Sequence, residues 1–539
     1  MSKISALPLL ANPLGSETIA AVVDGVSMRV PIRAIVEAAM PVIVTQDLGL
    51  FGAAMSYECD AYGCVLSALT DAGTQNVIGL SIGGAMVADD RAVFGADAAY
   101  QCDAYGCVFE RRDTGGALFV VSIDAGNEAV ANAPVTEITR PDGVTRYVRG
   151  GWTMIPVYGE STSVGLPTDS GAQVGTFQPY SNMTGEFGPA TAPGGMGALR
   201  PLYEVKPEYS SNPTETPCSG FVNMLSEYAF KHYGIVPSDM PIITGSFGQG
   251  GQTVAQLSKG GASGHYDDWL MPALAKVKAQ AATAGKPFVI PAFLFLCGAN
   301  DGAAGTSYAT MKAGLLKLAA DVDADVRALT GQTQPCVMLL YQTSGCFTRE
   351  TILPVLQAQF DAARESPLIE YAGNWQDGEF FDGVHQTKRG TFRTALKHGV
   401  MAAQHLFEGR VRGAVPIAAW SEDGAVHVRF DCPVAIDIEN IGAVTDYGVA
   451  ITDAAGAVPL GAIKVAADVV SIALGRALNG AASFELARTY QAAGTTAGGC
   501  ATNIRAAYVD RFRWRGVTYP VFRWGAHALL PIVTTEHSN

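Results

Sequence analysis

The sequence predicts an α/β chain: a central domain on a parallel sheet, carried between β-rich N-terminal modules and a C-terminal β-sandwich. Three observations predict it. From about 151 to 412, continuous apolar runs alternate with amphipathic helical patterns, as in parallel strands buried on both faces. Before 151 and after 412 the texture changes to short strands broken by Gly, Asp and Pro, as in antiparallel sheets. The chain has 539 residues, more than one core serves, so several domains are expected. We divide it as 1–45, 46–150, 151–412 and 413–539.

In residues 1–45, Asp24-Gly25 stands between the apolar runs Val22-Val23 and Val26-Ser27-Met28-Arg29-Val30, a strong hairpin signal. Ile32 to Ala39 reads as a short helix. The order Leu7-Pro8-Leu9-Leu10, Gly15-Ser16-Glu17-Thr18, Val22-Val23-Asp24-Gly25 resembles a segment that recurs near the virion-attachment ends of bacteriophage tail fibres and tail spikes.

Residues 46–150 hold a repeat. Phe51–Gly73 and Phe94–Gly116 align without gaps at an offset of 43, with 12 of 23 positions identical. Each copy carries Cys-Asp-Ala-Tyr-Gly-Cys, a polar turn between alternating apolar residues that reads as a hairpin tip. Cys59/Cys64 and Cys102/Cys107 can each form a disulfide or stand as cross-strand neighbours. Their spacing is unlike that of zinc knuckles. The two copies suggest a spacer or trimerisation stem.

Composition excludes several function classes. A net charge of −14 sets nucleic acid aside, because phosphate binding needs clustered Lys and Arg. No run of about 18 uncharged apolar residues is present, so no membrane-inserted helix is expected. The start, Met1 to Pro8, has too short an apolar core for a signal peptide. The other six of the ten cysteines are scattered singly and read as reduced core residues. Neither a metal nor an organic cofactor is expected.

In the central domain, apolar runs lie at 154–158, 241–244, 288–296 and 336–341, with helical patterns at Asp267–Ala284, Tyr308–Leu329 and Thr387–Phe407. Residues 162–216, rich in Gly, Pro, Ser and Thr, read as a long excursion over a site. In parallel sheets ligands sit beyond the carboxyl ends of the strands, and four polar islands follow apolar runs: Gly159-Glu160-Ser161, Gly245 to Thr253, Gly298-Ala299-Asn300-Asp301, and Asp382-Gly383-Val384-His385.

Acyl transfer to water needs those residue types. A serine hydroxyl becomes a nucleophile when a histidine takes its proton, and the histidine needs an acceptor that fixes its tautomer. The oxyanion needs pre-aimed donors. Ser161 is the candidate nucleophile, His385 the base and Asp382 its acceptor. Asn300 offers an NH2, and the glycine island offers amides that no β-carbon crowds. Each island alone has a bland reading as a turn or helix cap. Ser161 lacks the following Gly of a Gly-x-Ser-x-Gly elbow.

The four islands stand in the order of the four blocks of the GDSL/SGNH hydrolases, and residues 151–410 resemble that family. Ala255 to Gly260 with Gly285-Lys286-Pro287-Phe288 is similar to its sialate O-acetylesterase-like, carbohydrate-esterase branch. Glu160 stands where the family usually has Asp. The resemblance implies a three-layer, flavodoxin-like fold. It implies Ser161, Asp382 and His385 as triad, and the amides of Ser161 and Gly251 with the Asn300 side chain as oxyanion hole; Gly250 or Gly248 could replace Gly251. It also implies an O-acetylesterase acting on carbohydrate. With the tail-like N-terminus, the expectation is a virion tail fibre or spike, a homotrimer among other tail proteins, that deacetylates host surface polysaccharide. The competing expectations are a glycan-binding fibre without turnover and a secreted bacterial carbohydrate esterase.

Overall fold

The computed structural model describes residues 150–534, apart from 167–168, 191–194, 207–212, 345–348, 489 and 492–498, together with the strand backbones between 18 and 132. Two compact units divide the chain: Met1–Thr136 with Lys231–Val236, and the remainder.

The first unit is β-rich. Thr18–Val23 pairs antiparallel with Val26–Pro31, with Val23 opposite Val26, as the Asp24-Gly25 signal requires. The two repeat copies give equivalent hairpins, Ser56–Cys59 with Val65–Thr70 and Ala98–Cys102 with Val108–Asp113. They belong to a four-stranded and a five-stranded sheet, respectively. The expected helix at 32–39, the two hairpin tips and the state of the Cys59/Cys64 and Cys102/Cys107 pairs lie outside the described residues.

The second unit is α/β with parallel strands. Its first part runs β1 (Trp152–Met154), β2 (Val157–Gly159), α1 (Ser161–Val164), β3 (Met183–Gly185), β4 (Leu199–Pro201), α2 (Pro217–Tyr233), β5 (Ile242–Ile243), α3 (Val254–Leu257) and α4 (Met271–Thr283). It continues with β6 (Phe288–Val289), β7 (Ala292–Leu296), α5 (Ala299–Ala303), α6 (Tyr308–Thr330), β8 (Val337–Gln342), α7 (Arg349–Glu365), β9 (Ile369–Asn374) and α8 (Lys388–Ala403). The order β2-β7-β8-β9 is parallel throughout, and β1 pairs parallel with both β5 and β6. Every residue of β7 and β8 is buried, so both sheet faces are covered.

The runs 154–158 and 288–296, read from sequence as single strands, are each cut in two. Pro156 separates β1 from β2, and Pro291 separates β6 from β7. Proline has no N–H for the ladder, but both carbonyls still accept, from Leu294 N at 2.9 Å and Val337 N at 3.0 Å. The breaks put β2 and β7 in the four-stranded sheet β2-β7-β8-β9, while β1 and β6 belong to the other sheet.

The helices stop and start where their caps dictate. In α6 the Ser307 hydroxyl accepts from Thr310 N at the start, and Gly331 is left-handed (φ 78°) at the end, the pattern expected of Ser and Gly caps. Thr387 caps α8 by accepting from Gly390 N at 3.0 Å. The expected Asp267–Ala284 helix opens instead with a π turn, His265–Leu270, before α4. α2, α7 and β9 escaped the sequence reading: α7 carries Pro354, a helix breaker, and β9 (Ile-Glu-Tyr-Ala-Gly-Asn) has no apolar run.

The long excursion is tied down by two buried carboxyls. Glu215 accepts from the amides of Val174 (2.7 Å) and Gly175 (2.9 Å), and Glu204 from the hydroxyls of Thr216 and Ser219, both at 2.8 Å. Burial pushes Glu204 up to about 7; burial and then the neighbouring Glu204 raise Glu215 well above the usual range. Such raised carboxyls favour folding fully below the unfolded value near 4.5 and lose that contribution as pH rises through the folded value. Glu204→Gln cannot ionise. Its melting temperature is expected to gain on wild type as pH rises from about 5 to about 8, by the equivalent of ~1–3 kcal/mol. Parallel melting curves across that range would show that Glu204 is ionised when folded.

The C-terminal part is β-rich, as expected, but its strands collect in one eight-stranded sheet with short two-stranded pieces beside it. Only Pro416–Glu422 and Ala528–Thr534 pair parallel within that sheet. The expected boundary at 412/413 falls inside the second unit. Gln342 exchanges two 2.8 Å hydrogen bonds with the His527 backbone, and Asn374 and Gln376 donate to the carbonyls of Gly525 (2.9 Å) and Thr502 (2.7 Å). The fully buried Phe392 of α8 packs on Phe512, Trp514 and Tyr519, with ring centroids 6.3, 5.4 and 5.8 Å away.

Candidate active site

Ser161 opens α1 at the end of β2. The strand reaches it through Gly159 (φ 143°), where a β-carbon would lie 2.0 Å from the Leu296 carbonyl oxygen of β7. No other residue fits that approach. Ser161 is 7% exposed. Its Oγ lies 2.9 Å from His385 Nε2, and His385 Nδ1 lies 2.8 Å from Asp382 Oδ2. The other Asp382 oxygen accepts from the amides of Val384 (2.7 Å) and His385 (2.6 Å). Partial burial opposes the Asp382 charge, but these amides and the imidazole hold its pKa below the usual carboxylate range. An ionised acceptor on Nδ1 puts the ring proton there and leaves Nε2 free to accept from Ser161.

His385 sits on the segment between β9 and α8. That segment is anchored from behind: Trp375 N donates to Ser344 Oγ at 2.9 Å, and Lys397 Nζ pairs with Asp377 at 2.8 Å. The indole of Trp375 donates to His398 Nε2 at 2.8 Å. Burial drives His398 down to about 3, so that imidazole is a neutral core group and not a base.

Glu160 plays a part the sequence reading did not assign. It is 1% exposed. Its Oε1 accepts from Gly298 N (2.8 Å) and Ala299 N (2.7 Å), and its Oε2 from Asn300 N (3.0 Å) and the Asn300 side-chain amide. Burial pushes this carboxyl up to about 7, even against amide donors that favour its charge. One side chain thus fixes the island carrying Asn300 beside the island carrying Ser161. The signal was the acid in Gly-Glu-Ser; its partners, 138 to 140 residues away, were not legible. Glu160→Gln turns one acceptor oxygen into an NH2 that faces two N–H donors. Two stranded donors should cost about 2–4 kcal/mol of stability, and displacement of Asn300 should lower kcat by roughly tenfold or more. A variant with wild-type kcat and melting temperature would remove Glu160 from this role.

The glycine island separates into distinct positions. Gly248 is a close-approach glycine: its β-carbon would meet Gly159 O and Ser163 Oγ, each at 2.1 Å. At Gly250 the same atom would lie 3.5 Å from Ser161 Cβ, whereas Gly251 (φ 76°) has nothing within 4 Å. Of Gly250 and Gly251, only Gly250 has Ser161 within that reach. The structure brings Ser161, Asp382 and His385 into one hydrogen-bonded chain and joins Asn300 to it through Glu160. Among the described residues, no group of three His, Cys, Asp or Glu side chains could hold a metal, and no helix is long and apolar enough to cross a membrane.

No family model and no curated protein matches the chain. Solved structures do. It is similar to a carbohydrate acetylesterase from Xanthomonas citri, at 12% identity and TM-score 0.43, over 96% of this chain and 93% of that one. It is similar to NanS at 12% identity and TM-score 0.34, over 49% and 99%. It is also similar to an aryl esterase of M. smegmatis at 13% identity and TM-score 0.27, over 47% and 98%. Fold likeness does not carry chemistry, so the reaction is argued from the side chains of the site.

Proposed function

We propose that the chain is a serine esterase of the SGNH type, on a three-layer α/β domain, that removes acetyl groups from carbohydrate. The observation that carries this is the continuous chain from Ser161 Oγ through His385 to Asp382, at 2.9 and 2.8 Å. The serine oxygen attacks the ester carbonyl as its proton passes to His385 Nε2. The negative charge on the carbonyl oxygen meets the Ser161 amide, an amide of Gly250 or Gly251, and the Asn300 side chain. One N–H of that NH2 is held by Glu160, and the second is left for the oxyanion. Collapse expels the sugar alkoxide, which takes the proton from His385. Water, deprotonated by the same nitrogen, then cleaves the acetyl-serine and restores Ser161.

The test is covalent. A serine-directed phosphonate should label wild type on the peptide carrying Ser161, and wild type should release acetate from p-nitrophenyl acetate. Absence of both would remove the reading. Asn300→Ala should keep the label and lower kcat by ~10²–10³, the loss expected for one oxyanion donor; an unchanged kcat would assign the oxyanion elsewhere.

The wider setting is also proposed: a homotrimeric virion tail fibre or spike, attached to other tail proteins, acting outside the cell on O-acetylated host polysaccharide. It rests on the tail-like N-terminal segment and the repeat. Detection of the chain in purified particles would test it, and its absence from them would favour a free carbohydrate esterase.

A further inference from the structure

A second feature is lined by residues that follow His385 closely in the chain. A cleft of about 510 Å³ runs between the start of α8 and the hairpin Asp510–Trp514/Val517–Val521 of the C-terminal part. That volume is in the range of ligand sites, ~300–1,000 Å³. One wall is Thr387, Lys388 and Arg389, two to four residues after His385; the other carries Trp514, Arg515 and Tyr519.

The far wall is fixed. Trp514 Nε1 donates to Val174 O at 3.0 Å, and Trp514 and Tyr519 are seated on Phe392 of α8. The charges within the cleft do not balance. Glu379 is faced by Arg389 at 3.7 Å and Arg393 at 3.4 Å. Asp169 accepts from the Lys388 amide at 2.8 Å and from its Nζ through the backbone carbonyl. Arg515 is the surplus. Its guanidinium donates to Thr176 Oγ1 at 3.2 Å and pairs with no described carboxylate. It is also held at a tight turn, with φ 46° ahead of Gly516 at φ 81°, where Asn-Gly is the preferred pair. Arginine adopts that backbone only at some cost.

We propose that this cleft is a glycan subsite that takes the sugars flanking the ester, and that Arg515 reads a carboxylate on them: the substrate chain is an acidic, uronate-bearing polysaccharide. This rests on the esterase reading for the identity of the neighbouring site. A planar guanidinium fork matches a carboxylate in two-point geometry, and the fixed wall keeps the ordering cost low. The net charge of −14 repels a polyanion at long range, but beyond ~8 Å that field is screened at physiological salt and local contacts decide.

The test is calorimetric, on the full chain, with unacetylated hexagalacturonate and xylohexaose as probes. Hexagalacturonate is expected to bind at least about tenfold tighter than xylohexaose. Arg515→Asn, which suits the left-handed turn and should keep or raise the melting temperature, is expected to weaken hexagalacturonate about tenfold and leave xylohexaose unchanged. Arg515→Lys, with charge but no fork, should fall between. Equal binding of the two probes, no binding of either, or an Arg515→Asn variant with wild-type affinity for hexagalacturonate would each overturn the proposal. Failure of the esterase reading would show separately, as absent acetate release from p-nitrophenyl acetate while hexagalacturonate still binds.

Discussion

Alanine at position 161 is expected to lower turnover of p-nitrophenyl acetate by on the order of 10⁴–10⁶ while leaving the melting temperature almost unchanged. The substitution removes one oxygen whose partner is His385 Nε2 at 2.9 Å, so little folding energy is at stake. For catalysis the loss is close to complete, because histidine and aspartate act only through that oxygen. Removing the serine or the histidine of such a unit therefore costs nearly as much as removing all three members. The residue of activity that survives would come from the amide donors and Asn300 acting on hydroxide or water. Rates should be taken as single turnovers, with the phosphonate label as control. A Ser161→Ala protein within tenfold of wild type would mean that another group attacks the ester.

Truncation after Arg412 is expected to abolish cooperative folding of the catalytic part, and turnover with it. Three buried amide side chains, Gln342, Asn374 and Gln376, would lose backbone partners in the C-terminal part. Each lost hydrogen bond contributes about 0.5–1.5 kcal/mol. Uncovering Phe392, now fully buried, removes a further ~1.5–3 kcal/mol. The sum rivals the net stability of a domain, ~5–15 kcal/mol. Gln376 and Asn374 also begin the segment that carries His385, so geometry should fail before folding does. Near-ultraviolet circular dichroism and a thermal melt of residues 1–412 would read the outcome. A sharp transition close to that of the full chain, with turnover, would show that the interface contributes little.

Much of the α/β unit was legible because its signals are local. β7 and β8 are apolar at nearly every position, which only a doubly covered strand requires, and α6 and α8 carry their own caps. α7 and β9 were not legible, since Pro354 and the polar letters of β9 contradict local propensity and are outweighed by burial of Val355, Phe360, Tyr371 and Ala372. The cuts at Pro156 and Pro291 follow from a missing N–H, but that they fall within two residues of each other along adjacent strands emerges only from the pairing of β2 with β7.

The candidates were legible in the residues alone: a serine after Gly-Glu and an asparagine after Gly-Ala, each past the end of an apolar run, and an aspartate three residues before a histidine. Those are short-range facts of residue type and spacing. Tertiary structure alone decided that Ser161 and His385, 224 residues apart, come to 2.9 Å. It alone decided that Glu160 holds the Asn300 island, that Gly250 has Ser161 as a neighbour, and that the C-terminal hairpin walls a cleft with the start of α8. The physical reason is one of range. A turn or a cap is fixed by neighbours in the chain, whereas a buried carboxylate or a cleft is fixed by donors and surfaces whose distance in sequence carries no signal.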